Sequence, residues 1–386
     1  MKVLFFSQAR EISDQPDFNA SFRSALKEEE FRNIPYLGYV EKHGWEEFYN
    51  EVLSQNEDFC PDLIFFQFFH CRGGKGIGEC CRKLKESKNK PLIFGSMGDL
   101  FYTGPFKWLA RPIPRVSLEL ALNADAIFST SMGNVAHELV KNGARNVIFL
   151  PHAFCPEHFP DWEAPTVSEP KYNITMLGSK GKWITRRPLA SFCNTWKRRY
   201  VSRLLSAQFG SGFSVFGHGW KGPSATGTIP FKEQMHIYKQ SRVVIDSPAP
   251  TLETTYYASD RPFFMLASGT PMVYFYTPRF EKILKPDVHA KFVYNFQELV
   301  EAARQLSSIP KDVVDAKRGA IQAFVKERHM VANRVDTILS TAEAINAFRT
   351  GDIDATEALQ RIRMWHFLPD VDMGKEYKYA IANWVG

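Results

Sequence analysis

The sequence has little cysteine, no long apolar run and no large excess of one charge. Six Cys scattered over 386 residues make no disulfide framework. Apolar stretches such as Leu63–Phe69 are far shorter than the roughly 20 residues that a membrane span needs. Too few apolar residues follow Met1-Lys2 for a signal-peptide core. We therefore expect a soluble, cytoplasmic protein with no membrane partner.

Two common nucleotide-binding motifs are also missing. A dinucleotide enzyme should show G-x-G-x-x-G after its first strand. Here the first apolar run, Val3–Ser7, is followed by Gln8-Ala9-Arg10, which contains no glycine. The chain has no Walker A motif. These absences argue against an NAD-type dehydrogenase and a P-loop NTPase.

What is present is an ordinary globular composition, with 44% hydrophobic and 23% charged residues. This composition excludes a disordered chain. At roughly 100–200 residues per domain, the length predicts two or three domains, each with its own core.

Short apolar runs alternate with helical patterns, which predicts an α/β fold built from βαβ units with parallel sheets. The predicted strands are Val3–Ser7, Asp62–Phe69, Leu92–Gly95, Ala126–Thr130, Val147–Pro151, Asn173–Leu177, Phe213–Phe216, Val243–Asp246 and Pro271–Phe275. The predicted helices are Asn134–Asn142 and, after the strands, Asp312–Met330, Val331–Ala347 and Asp354–Trp365.

A proline-rich segment, residues 151–170, interrupts this alternation and predicts an interdomain linker. We therefore predict an N-terminal domain over residues 1–155 and a second domain over 172–345. Residues 346–386 are predicted to form a helical tail that packs back on the N-terminal domain.

Positive charge is concentrated in one part of the second domain. The net charge is only +6, yet eight basic and no acidic residues lie between Lys180 and Arg203. This run predicts an anionic partner, either a ligand phosphate or a nucleic-acid backbone. A solvated helix face is the alternative.

Two sequences in the second domain are typical of phosphate binding. Ser259-Asp260-Arg261-Pro262 begins a short helix whose N-terminus would attract an anion. The alternative is an Arg261 that pairs with Asp260 on the surface. Gly178–Lys182 forms a glycine-containing turn after a strand, followed by Arg186 and Arg187. Together these groups predict a diphosphate site that needs no metal.

In the first domain, Asp99 follows a predicted strand and a glycine, where parallel sheets place catalytic groups. A helix cap is the alternative role for this carboxylate. The next loop alternates aromatic and basic side chains, a mixture that suits stacking on a base beside phosphates. Buried aromatic packing is the alternative. A second glycine-rich loop, Arg72–Gly78, could face an anion. Bare D-x-D sequences and the scattered His and Cys lack metal-site spacing, so we assign no metal.

These features resemble two-domain GT-B glycosyltransferases, most closely the phage DNA β-glucosyltransferase type that modifies 5-hydroxymethylcytosine. Bacterial spore-maturation-type glycosyltransferases share the second-domain pattern. The similarity extends from about Asp62 to about Leu306. The matching residues are Gly73-Gly74-Lys75, Asp99, Gly178-Ser179, Arg186 or Arg187, Thr226-Gly227-Thr228-Ile229-Pro230, and Arg261 with Leu266-Ala267-Ser268.

The resemblance implies two Rossmann-like domains facing a cleft, with the acceptor on the first and the donor on the second. It implies an inverting, metal-independent transfer of a hexose or pentose from a nucleotide sugar, a UDP-sugar, to a hydroxymethylated pyrimidine in double-stranded DNA. Asp99 is the expected general base, and no other cofactor is required. We expect a monomer, located in the host cytoplasm if a phage encodes it.

The resemblance also implies the binding residues. Those expected at the donor are Gly178, Ser179, Lys182, Arg186, Arg187, Ile229, Ser259 and Arg261. Those expected at the acceptor DNA are Gly74, Lys75, Phe101, Tyr102, Lys107, Trp108 and Arg111.

One position departs from the family. Its members place a ribose-binding Glu where this chain has Phe264, and a paired Glu where it has Tyr256. Glu253 or the backbone could substitute. Two alternatives therefore remain open: a glycosyltransferase with a glycan, protein or small-molecule acceptor, and a non-catalytic nucleotide-sugar-binding protein.

Overall fold

The computed structural model describes residues 1–69, 74–98, 113–165, 169–181, 188–246, 254–257, 259–368 and 380–384. Within this range the chain divides into two compact units. One unit contains the N-terminal part up to Pro151 together with the segment from Val331 onward, and the other contains His152–Met330. The described residues contain no helix with the length and apolar character needed to cross a bilayer.

The first unit begins with alternating strands and helices. They are β1 (Val3–Ser7), α1 (Pro16–Ala25), β2 (Phe31–Pro35), α2 (Tyr36–Phe59), β3 (Leu63–Phe66), α3 (Ile77–Glu86), β4 (Leu92–Met97), α4 (Arg115–Asn123), β5 (Ala126–Ser129), β6 (Met132–Gly133), α5 (Asn134–Lys141) and β7 (Val147–Phe149). Every residue of β1, β3, β4, β5 and β7 is buried, which explains why these strands are apolar except for Ser7, Ser96 and Ser129.

The second unit repeats the alternation. Its elements are β8 (Tyr172–Leu177), α6 (Pro188–Phe209), β9 (Phe213–Phe216), β10 (Ala225–Gly227), α7 (Gln234–Lys239), β11 (Ser241–Ile245), β12 (Thr254–Thr255), α8 (Arg261–Ser268), β13 (Met272–Phe275), β14 (Lys291–Val293), α9 (Phe296–Ser307) and α10 (Lys311–Arg328).

The six-stranded sheet of the second unit is entirely parallel, in the order β10-β9-β8-β11-β13-β14. In chain order this is the 3-2-1-4-5-6 arrangement of Rossmann folds, in which ligands bind where the strand order reverses. Here the order reverses between β8 and β11. Alternate β8 and β11 side chains, among them Ile174, Met176, Val243 and Ile245, form its apolar core with residues of α6 and α9.

The C-terminal segment belongs to the first unit. It contains α11 (Val331–Thr350), α12 (Ala355–Arg361) and β15 (Ile381–Ala382). Helix α11 packs on α1, and β15 adds to β7 as an antiparallel strand. The first sheet therefore runs β15-β7-β5-β4-β3-β1-β2, with its other strand pairs parallel. The predicted boundary at residue 345 falls inside α11, whereas the contacts divide the chain after Met330.

The predicted α/β class with two parallel sheets is confirmed, but the proline-rich segment is more than a linker. Phe154, Phe159 and Trp162 are buried within it, and a 3₁₀ turn covers Pro156–His158. The segment therefore contributes to the packing of the second unit.

Candidate functional site

A cavity of about 250 Å³ lies where the strand order of the second unit reverses. Strand β8 ends at Leu177 and strand β11 ends at Ile245, so Gly178 and Asp246 follow these two neighbouring strands at the same edge of the sheet. The cavity is lined by Leu177, Gly178, Ser179, Phe216, Gly217, Ile229, Phe231, Gln234, Asp260 and Arg261.

The turn after β8 is fixed by hydrogen bonds to the loop after β9. The backbone N–H of Gly178 donates to the carbonyl of Phe216 (2.9 Å), and that of Lys180 donates to the carbonyl of His218 (2.9 Å). The indole Nε1 of Trp220 donates to the carbonyl of Gly178 (2.6 Å). The turn is therefore held in place without a ligand.

Two glycines allow this close approach of backbone to backbone. Gly178 has φ +147° and Gly217 has φ +134°, both in the region that other residues rarely adopt. A Cβ on Gly217 would lie 2.3 Å from the Gly178 carbonyl oxygen. Position 217 therefore requires glycine for steric reasons as well as for its backbone angle.

Arg261 begins α8 and forms an ion pair beneath the cavity. Its Nε lies 3.6 Å from Oδ1 of Asp246, whose side chain is only 7% exposed. Burial opposes the charge of Arg261, but the carboxylates of Asp246 and Asp260 outweigh it and raise the pKa of the guanidinium. Arg261 thus forms its ion pair with the buried carboxylate after β11, and Asp260 adds a smaller electrostatic attraction.

The ends of α8 agree with the sequence prediction. Pro262 occupies the first turn, and Gly269 ends the helix in the left-handed conformation with φ +69°. The Asp260 side chain makes no capping hydrogen bond to α8, and Asp260 lines the cavity.

Arg198 and Arg199 of α6 also reach the turn after β8. Nη1 of Arg198 donates to the carbonyl of Ser179 (2.8 Å), and Nη2 of Arg199 donates to the carbonyl of Gly181 (2.8 Å). Burial, followed by the nearby charge of Arg261, lowers the pKa of Arg198 to about 10. The basic run therefore has a structural role in addition to any role in binding.

Phe264, which stands where the resembling family has a ribose-binding Glu, is 2% exposed. Its ring contacts those of Phe154, Phe159 and Phe231, with centroid separations of 5.2–6.1 Å. A carboxylate at this position would have to be buried among aromatic rings.

The structure brings four predicted donor residues together, since Gly178, Ser179, Ile229 and Arg261 line one cavity. Ser259 is half-buried and is not among the lining residues. Lys182, Arg186, Arg187 and Glu253 lie outside the described residues.

Two of the predicted acceptor residues can be placed, both in the first unit. Gly74 is buried against Trp45, Phe69 and Val116, where a Cβ would lie 3.2–3.3 Å from their side chains, and Lys75 is exposed. Packing therefore explains the glycine. Strand β4 ends at Met97, two residues before Asp99. Asp99, Phe101, Tyr102, Lys107, Trp108 and Arg111 lie outside the described residues.

Three side chains at or beside this site were not predicted from the sequence: Asp246, Arg198 and Gln234. Asp246 was the last residue of a predicted strand, and the carboxyl end of a strand beside the switch point is the feature that could have identified it. Arg198 was counted in the basic run, but its contact with a turn 19 residues earlier depends on the tertiary fold.

A second cavity of the same unit, about 450 Å³, lies between the segment His158–Pro165 and the residues Lys232–Lys239. Nζ of Lys239 donates to the carbonyls of Asp161 and Ala164, both at 2.7 Å, and so ties the two walls together.

Comparison with solved structures identifies the fold. The chain is similar to HepE from Anabaena in complex with UDP (12% identity, TM-score 0.55, 89% of this chain and 100% of that one). It is similar to a glycosyltransferase from Rickettsia africae (10% identity, TM-score 0.56, 89% of this chain and 98% of that one). It is also similar to an α-glucosyltransferase in complex with UDP and a 13-mer DNA containing an HMU base (14% identity, TM-score 0.55, 84% of this chain and 95% of that one). The chain has the GT-B fold of these structures.

A family model points to the same class of enzyme. Residues 187–340 match the family described as glycosyl transferase-like, a segment that contains α8 and most of the second sheet. No curated protein matches the sequence. Taken together, the family match and the fold support a glycosyltransferase enzyme.

Proposed function

We propose that the chain transfers a sugar from a UDP-sugar to an acceptor hydroxyl, with the donor bound in the 250 Å³ cavity of the second unit. The observation that carries this proposal is the convergence of the Gly178-Ser179 turn and Arg261 at the switch point of a Rossmann-type sheet. UDP in the HepE and α-glucosyltransferase structures supports the choice of nucleotide.

The residues present suit a diphosphate leaving group. A glycine turn lets a phosphate approach backbone N–H groups, and the N-terminus of α8 adds a positive dipole end. Arg261 supplies a guanidinium that is already held in place by Asp246. As the bond from the anomeric carbon to the diphosphate breaks, these groups stabilise the charge that develops on the leaving oxygen.

Asp99 is the proposed general base. It would accept the proton of the acceptor hydroxyl while the hydroxyl oxygen attacks the anomeric carbon, and direct attack inverts that centre. No metal is needed in this scheme, because arginine and backbone groups neutralise the diphosphate. An Asp99→Asn variant is expected to bind donor but not to transfer sugar.

For the acceptor, we propose a hydroxymethylated pyrimidine in double-stranded DNA, flipped out of the duplex to reach the site. The basic run from Lys180 to Arg203 and the α-glucosyltransferase bound to HMU-containing DNA support this choice. The engagement of Arg198 and Arg199 with the turn favours the second candidate, a glycan, protein or small-molecule acceptor, because fewer cations of the run are then free for DNA.

The test is to incubate the protein with UDP-sugars and with duplex DNA that carries plain or hydroxymethylated pyrimidines. The DNA is then digested, and the masses of its nucleosides are measured by mass spectrometry. A hexose or pentose mass on the hydroxymethylated nucleoside alone is the expected result. UDP release without a DNA adduct would exclude DNA as the acceptor and favour a glycan, protein or small-molecule acceptor. Donor binding without turnover would indicate a non-catalytic binding protein, and the absence of both would refute the UDP-sugar site.

A further inference from the structure

Arg198 and Arg261 present two guanidinium groups to the same glycine. A Cβ on Gly178 would lie 3.4 Å from Nη1 of Arg261 and 3.8 Å from Nη1 of Arg198. Both side chains therefore lie beside the Gly178 turn, although Arg198 comes from α6 and Arg261, which lines the cavity, comes from α8.

Two carboxylates lie near these two guanidinium groups. Asp246 acts on both Arg198 and Arg261, and Asp260 acts on Arg261. Two arginines held close together repel each other, and an anion between them would relieve that repulsion.

Nε of Arg198 is buried and has no hydrogen-bond partner among the described residues. Nε of Arg261 differs, because it faces Oδ1 of Asp246 at 3.6 Å. Buried donors are normally satisfied, because leaving one unpaired costs free energy. A ligand oxygen beside Arg198 is one way to satisfy its Nε.

We propose that Arg198 is a second diphosphate-binding arginine, which acts with Arg261 on the two phosphates of the donor. This inference rests on the proposed function, because the anion it names is the UDP diphosphate. Arg198 keeps one N–H on the Ser179 carbonyl and offers its remaining donors to the ligand.

Arg199 provides a matched control for this proposal. It is the next residue of α6, it carries the same charge, and it too donates to the turn, through the Gly181 carbonyl at 2.8 Å. The three atoms nearest to a Cβ on Gly178 belong to Arg261 and Arg198 rather than to Arg199. A purely structural role would make Arg198→Gln and Arg199→Gln behave alike.

The experiment is calorimetric titration of wild type, Arg198→Gln and Arg199→Gln with UDP, uridine and inorganic pyrophosphate. Loss of one charged hydrogen-bonding group should weaken UDP and pyrophosphate binding about 10- to 100-fold in Arg198→Gln. Uridine affinity should stay within about twofold, because the charge acts on the phosphates alone. Arg199→Gln, which acts only through the turn, should reduce UDP and pyrophosphate affinity less than Arg198→Gln does.

Equal UDP affinity in Arg198→Gln and wild type would overturn the proposal, as would equal losses of UDP and uridine affinity. Arg198→Lys, which keeps the charge, should recover part of the pyrophosphate affinity and guards against a folding defect. If wild type binds pyrophosphate through Arg198 but not UDP, the anion site stands and the proposed function fails. If it binds neither, both fail.

Discussion

Arg261 is the single residue on which the proposed donor site depends most. It lines the cavity, begins α8 at the end where an anion is favoured, and is held by the buried carboxylate of Asp246. An arginine in the first turn of a helix opposes the helix dipole. The ion pair with Asp246 and a bound phosphate would both offset that cost.

Arg261→Gln is expected to weaken UDP binding by at least about tenfold, because a charged donor to the diphosphate is lost. It should also destabilise the protein by about 3 kcal/mol, because Asp246 loses the guanidinium of a buried pair. Titration with UDP and urea unfolding measure the two effects.

Adding Asp246→Asn to Arg261→Gln should recover part of the stability but none of the UDP affinity. Arg304→Gln is the surface control, since Arg304 forms an exposed pair with Glu301 at 3.0 Å, and such pairs are worth less than about 1 kcal/mol. Wild-type UDP affinity in Arg261→Gln would contradict the site described here.

Residue-scale sequence analysis succeeded where a short motif determines the local conformation. Gly178-Ser179 and the Arg261-Pro262 helix start were predictable because a glycine turn and a first-turn proline act locally. Asp246 and Arg198 were not, because only the pairing of β8 with β11 and the packing of α6 bring them to the turn.

At the scale of elements, the site depends on the turn after β8 and the loop after β9. Gly217 lies on that loop, and its N–H donates to the carbonyl of Gly227 at 2.8 Å. The loop therefore links the turn after β8 to the strand that leads to Ile229.

Gly217→Ala is expected to displace the turn, because its Cβ would lie 2.3 Å from the Gly178 carbonyl oxygen. The variant should lose stability in thermal unfolding and most of its UDP affinity. Gly222→Ala is the matched control, since Gly222 also has a positive φ, +104°, but nothing lies within 4 Å of its Cβ.

The control should show only the backbone cost of a positive φ, roughly 1–3 kcal/mol, with UDP affinity retained. If Gly217→Ala binds UDP as well as Gly222→Ala does, the turn is not part of the donor site.

Element boundaries were predictable where strands are fully buried. Val3–Ser7 and Phe213–Phe216 agree with the structure at both ends. Strand β2 was missed, because Arg32 and Asn33 interrupt its apolar pattern at the sheet edge. Strand β15 is two residues long and is defined by its pairing with β7. Two residues are too few to show an alternating pattern, so the sequence could not predict this strand.

At the scale of the whole molecule, the chain combines two parallel-sheet units, and the C-terminal segment returns to the first of them. The order of alternating elements predicted the two sheets. It did not predict that α11 belongs wholly to the first unit, because the sequence of a helix does not show which sheet the helix packs on.

A DNA acceptor predicts binding that depends steeply on salt. With roughly four phosphate contacts, log affinity for duplex DNA should fall with log salt at a slope of about −3.6. Lys75→Gln should reduce the magnitude of that slope by about 1 if the exposed Lys75 contacts a phosphate. Lys83→Gln, which removes a lysine paired with Glu79 on α3, is the control.

Fluorescence anisotropy at 50–200 mM salt, about the range in which such contacts are resolved, measures the slopes. Duplex affinity that is independent of salt, or no duplex binding at all, would exclude the DNA acceptor and leave the UDP-sugar site untouched.

The central claim is the position of the donor, and a crystal structure of the protein with UDP tests it most directly. The account predicts the diphosphate at the Gly178-Ser179 turn, within hydrogen-bond distance of Arg261, and the uracil beside Ile229. UDP bound in the cavity next to Lys239, or anywhere else away from Arg261, would contradict it.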